Sequence, residues 1–146
     1  MIDQVAQQSI NHFKSGYFCA ESVLLAVSEH YGIRSRFIPS IATGFCSGTS
    51  RTSGLCGAVA GGILSINLFS GRRSPQDSVE ENYAYVREFL QSFREKFGTT
   101  NCAELIACDL GTKAGQTKFK KENLKEDCFR FTQEATRMAM TIIERI

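Results

Sequence analysis

Tryptophan is absent from this chain of 146 residues and proline occurs only twice, which suits a helical domain with few forced breaks. Neither sign of charge dominates: 17 lysines and arginines face 15 aspartates and glutamates, a net charge of +2. The locally lysine-rich stretch from 113 to 127 is interleaved with Glu122, Glu126 and Asp127 and reads as a solvated face. This balance argues against nucleic acid, acidic substrates and lipid surfaces as partners. There is no alternating apolar–polar run of the strand type, no linker, no low-complexity run and no internal repeat. Met1-Ile2-Asp3-Gln4-Val5 has no basic segment leading into an apolar run, so no signal peptide is read and the cytoplasm is the expected compartment. Several catalytic and metal signatures are missing too. Without CxxC there is no thioredoxin motif or zinc knuckle, and without CxxCH no c-type haem. HExxH and a nucleophile elbow are also absent.

What the chain does have is a charge-free stretch between Arg51 and Arg72, reading Ser53-Gly54-Leu55-Cys56-Gly57-Ala58-Val59-Ala60-Gly61-Gly62-Ile63-Leu64-Ser65-Ile66-Asn67-Leu68-Phe69. Large apolar residues fall on all sides of a helical wheel, the pattern of a helix buried all round. Gly57, Gly61 and Ser65 form one small-residue row, and Ala58 and Gly62 another. An interior glycine costs a helix about 1 kcal/mol against alanine, so these rows point to a neighbouring helix at close approach. The glycines, Ser65 and Asn67 dilute the hydrophobicity below that of a membrane span. Ser53 is the expected N-cap, which places Cys56 in the first turn, where free N–H groups and the helix dipole favour a thiolate. Cys56 is therefore expected to be the most acidic thiol. The lead-in from Gly44 to Gly54 lacks the Gly-Lys-Ser/Thr ending of a phosphate loop and reads as a flexible loop.

Around this stretch the apolar periodicity predicts helices over about 3–15, 19–31, 37–42, a run opened by Ser74-Pro75 and closed by Gly98, and about 123–144. The stripe of the Ser74–Gly98 run is Val79, Tyr83, Val86, Leu90, Phe93 and Phe97; that of the last helix is Leu124, Cys128, Phe131, Ala135, Met138 and Ile142. Asn101 is placed to cap a short helix containing Cys102, with Glu104 three residues on, and another short helix is read near 115–120. The expected fold is all-α: one domain over 1–146, a bundle of four to five main helices around the buried glycine-rich helix at about 54–70.

Cysteine is the outlier in composition, with six residues at 19, 46, 56, 102, 108 and 128. Cys19, Cys56 and Cys102 each fall at or near a predicted helix start, and Cys128 lies on an inner face. Four gathered thiolates can hold zinc or an iron–sulfur cluster or work as dithiol/disulfide pairs; core packing is the bland alternative. His12 and His30 sit among polar neighbours and read as solvated. Arg51 stands just before the central helix, able to support a thiolate at Cys56 or an anionic substrate.

At Cys56-Gly57-Ala58-Val59-Ala60-Gly61 the chain resembles the C_GCAxxG_C_C family, small proteins grouped as redox-active on the strength of their cysteines. The lead cysteine matches Cys19 in Phe18-Cys19-Ala20-Glu21-Ser22. The third matches Cys102 in Asn101-Cys102-Ala103-Glu104-Leu105, and the last Cys128 ahead of Phe129-Arg130-Phe131. The glycine loop with an arginine resembles Gly44 to Gly54 with Arg51. Cys46 and Cys108 depart from the pattern and are expected outside the cluster or at its edge. The resemblance implies a redox-active protein whose site is Cys19, Cys56, Cys102 and Cys128, supported by Arg51, serving thiol/disulfide exchange or a zinc or iron–sulfur centre. A structural or interaction domain, and an enzyme with Cys56 alone activated, stay open. So do an oxidoreductase or transport-system protein as partner and a homo-oligomer.

Overall fold

In the computed structural model, which describes residues 1–146, Ile2–Lys14 (α1) and Cys19–His30 (α2) pack against each other, with Val5, Ile10 and Phe13 buried on one and Val23 and Val27 on the other. The break between them falls at Gly16 (φ 122°), and Gly32 (φ 68°) follows the end of α2. Glu21 closes the first turn of α2 by accepting the Phe18 N–H at 3.0 Å. His12 is not solvated as expected: its ring meets Glu29 at 2.9 Å and so ties α1 to α2.

The helix expected over 37–42 is instead a 3-10 turn, Ser40–Phe45, after a cis Ile38–Pro39 peptide. Next comes Cys46–Arg51 (α3), which is not the flexible loop its glycines suggested. Ser47, Gly48, Thr49 and Ser50 have φ between 56° and 64°, and Arg51 has 65°, so the chain makes one turn of left-handed helix. Only Gly48 adopts that geometry without Cβ strain; the others cost about 1–2 kcal/mol each.

Gly57–Ser70 (α4) is the glycine-rich helix, and it begins three residues later than the expected 54. Ser53 is not its cap: that residue has φ 58° and donates its hydroxyl to Asp109 Oδ1 at 3.1 Å. Gly54 to Cys56 run extended because Leu55 forms an antiparallel bridge with Asn101. The small-residue rows do bring neighbours close. A Cβ on Gly61 would lie 2.7 Å from the Ala20 carbonyl oxygen of α2, and one on Gly62 would enter the Phe89 ring. Burial all round holds only for the first half of α4. Ile63, Leu64, Leu68 and Phe69 are half-buried and Asn67 is exposed, while Ser65 and Ile66 stay buried.

Glu80–Phe97 (α5) starts later than Ser74 and ends on Gly98 in the left-handed region. Its buried face is rotated from the expected stripe: Phe89 and Phe93 are fully buried while Tyr83 is exposed. The slot beside Gly62 draws Phe89 inward. Burying such a ring contributes about 1.5–3 kcal/mol. Cys102–Ile106 (α6) is capped as expected, Asn101 Oδ1 accepting the Glu104 N–H at 3.0 Å. Lys113–Lys121 (α7) and Lys125–Ile143 (α8) complete the chain. The class is all-α, with eight helices and no strand. No helix is long and apolar enough to cross a membrane.

Candidate functional site

Three hydrogen bonds fasten the start of α6 to the lead-in of α4. The Cys56 N–H donates to Thr100 O at 2.8 Å, the Cys102 N–H to Gly54 O at 2.9 Å, and Asn101 Nδ2 to Ser53 O at 2.6 Å. Side chains alternate across such a pairing. With Leu55 opposite Asn101, Cys56 and Cys102 share the other face as diagonal neighbours, Cys56 across from Thr100 and Cys102 across from Gly54. Cys56 is the N-cap of α4 and Cys102 the first residue of α6. Cys19 is the first residue of α2, and Cys128 is the fourth of α8. All four family cysteines thus stand at helix starts, and all four line one cavity of about 380 Å³.

Two glycines seat the sulfurs. A Cβ on Gly57 would collide with the Cys19 sulfur and stand 3.2 Å from Cys46 Cα. A Cβ on Gly48, in the left-handed turn, would stand 2.6 Å from Cys102 Cβ and 3.0 Å from its sulfur. The small-residue row predicts a helix packed against Gly57; its nearest neighbour is instead a thiol. No pattern in the sequence announced Gly48, since a left-handed turn rich in serine and threonine has no periodicity to read.

Electrostatics correct the expectation for Cys56. Its thiol is pushed up to about 11, because burial outweighs the Val59 and Ala58 N–H groups that favour the thiolate. The helix start acts as supposed, but desolvation is the larger effect. Burial also raises Cys102 and Cys128, and for Cys128 the nearby Cys56 and Cys102 add to it. Cys46 sits behind the cavity wall against Cys19. Its thiol is held far above the ordinary range by the adjoining Cys19 sulfur first and burial second, and its Sγ donates to Glu21 Oε1 and Ala42 O at 3.8 Å. Cys108 is buried and donates to Gly115 O at 2.9 Å. All six cysteines are free. No three of the cysteine, histidine, aspartate and glutamate side chains are gathered in an arrangement that could hold a metal ion.

Asp109 pins the lip of the cavity, accepting from Ser53 Oγ and from the Gly111 N–H at 2.8 Å. Arg51 is exposed on that lip and lines the cavity mouth.

Fold and site define a class: an all-α protein in which helix starts bring partly accessible thiols to one cavity. The chain belongs to the family described as "Putative redox-active protein (C_GCAxxG_C_C)", whose model matches residues 17–142. Comparison with curated proteins and with solved structures finds no match.

Proposed function

We propose that the protein exchanges thiols and disulfides through a dithiol formed by Cys56 and Cys102. The observation that carries this reading is the pairing of 54–56 with 100–102, which sets the two cysteines on one face at the cavity wall. Cys102 is partly accessible and Cys56 is buried beside it. That division suits an attacking thiol and a resolving one. In the oxidising direction the Cys102 thiolate attacks a substrate disulfide RSSR, and the first RS⁻ leaves with the proton Cys102 gave up. The Cys56 thiolate then attacks the Cys102 sulfur of the mixed disulfide and expels the second RS⁻, which takes the Cys56 proton. Two protein thiols are oxidised and RSSR is reduced to two RSH; the reverse sequence reduces the protein. A disulfide needs sulfurs about 2.05 Å apart, and diagonal neighbours in such a pairing stand about 7–8 Å apart, so forming the link requires the two paired segments to shift toward each other.

The test is to equilibrate anaerobically purified protein in buffers of oxidised and reduced dithiothreitol and map disulfides by peptide. The expected product is a Cys56–Cys102 link that forms and breaks with the buffer. A map with no such link, or with Cys56 joined to Cys128, overturns the pairing. Zinc or iron bound through cysteine in the same preparation overturns the exchange reading in favour of a metal-holding one.

A further inference from the structure

The thiols occupy only part of the cavity. The rest of its wall is apolar, with Phe13, Phe18, Phe119 and Phe131 among the lining residues, and its volume is in the range that holds a small organic molecule. The charged side chains around it are all of one sign. Arg51, Lys120 and Lys125 line the mouth, and no aspartate or glutamate does. None of the three takes part in an ion pair, although five such pairs occur elsewhere on the molecule. Lys125 lies over the Phe13 and Phe129 rings, at 5.7 and 5.9 Å from their centres, so one cation is held against the aromatic wall. Arg51 is fixed at the end of the left-handed turn, a backbone state that is costly for a side chain and collects where chains grip ligands.

We infer that this cavity binds a small organic acid with a flat or branched apolar body, its carboxylate or other anionic group at the Arg51–Lys120–Lys125 mouth and its body against the phenylalanines. The thiol reading enters at one point only: where it holds, the disulfide exchanged at Cys102 is that of such an acid. Binding itself needs no thiol chemistry. An amide of the same shape would fill the same apolar wall and gain nothing from the cations. Exposed charge pairings are individually weak, so three together are expected to give about a tenfold preference for the acid.

Calorimetry with naphthalene-2-carboxylate and naphthalene-2-carboxamide at low salt tests this on the full chain. The acid is expected to bind about tenfold tighter than the amide, with the gap shrinking as salt rises. The triple variant Arg51→Gln, Lys120→Gln, Lys125→Gln is expected to lose the gap while retaining the amide affinity, which also shows that it has folded. In the unsubstituted protein, bound acid is expected to slow alkylation of Cys102. Equal affinities, a gap that survives the triple substitution, no binding of either compound, or an unprotected Cys102 would each overturn the inference. Repeating the titration on Cys56→Ser, Cys102→Ser protein separates the two readings. Acid binding there stands without the dithiol, and a mapped Cys56–Cys102 disulfide stands without acid binding.

Discussion

Gly57 leaves no space for even a methyl group, since the Cys19 sulfur, the Phe45 carbonyl oxygen and Cys46 Cα all face it. Gly57→Ala is therefore expected to destabilise the protein by about 1–3 kcal/mol through overpacking. Adding Cys19→Ala should recover part of that loss, because the sulfur is the nearest obstacle. Denaturant midpoints of the two single variants and the double variant measure this coupling; strictly additive effects would place the sulfur elsewhere. Cys56 yields a second expectation at this scale. With its thiol held near 11, the thiolate is scarce at neutral pH and grows about tenfold per pH unit until that value. Peptide-resolved alkylation of Cys56 should rise in that way from pH 8 to 10, with no plateau below 9. The sequence does place Cys56 at a helix start. What it does not expose is the depth of burial there, and burial reverses the sign of the shift.

Among the elements, α3 stands out, with five residues in succession at positive φ, four of them bearing side chains, before the chain turns into Thr52. Thr49 is the worst suited of them, since a branched Cβ crowds the left-handed region. Thr49→Gly is expected to stabilise the fold by about 1 kcal/mol, the relief of strain exceeding the entropic cost of a glycine. A thermal midpoint that falls instead would contradict the left-handed turn. The helices with regular stripes, α1 and α2, were legible because apolar spacing reports a buried face directly, and the Asn101 cap and the Gly98 stop because each has a local chemical cause. The handedness of α3 and the extended start of α4 were not. One follows from seating Cys102 against Gly48 and the other from pairing with Asn101, a residue more than forty positions away. The rotation of α5 was hidden for a similar reason: Phe89 turns inward to fill a space that a glycine on another helix leaves.

For the whole molecule, a Cys56–Cys102 disulfide would close a loop of 46 residues. In the chain-entropy account such a closure stabilises by up to about 4 kcal/mol. For a chain of this length that is a rise in unfolding midpoint on the order of 10 °C. Scanning calorimetry of oxidised and reduced protein, with Cys56→Ser as a control that should not respond, checks it. A lower midpoint on oxidation would mean that the link strains the fold. The family cysteines were legible as a set only through the motif, for nothing local in the chain relates residue 19 to residue 128; their meeting depends on α8 lying against α2 and α4. That dependence has a consequence for the life of the chain. During synthesis the cavity cannot close until its last wall, at Cys128 and Phe131, has emerged and docked. A chain cut short ahead of α8 would carry five of the six cysteines behind a cavity missing its Lys125, Cys128 and Phe131 wall, leaving those sulfurs more open to any oxidant in reach. The enclosure of the thiols is completed only with the final helix.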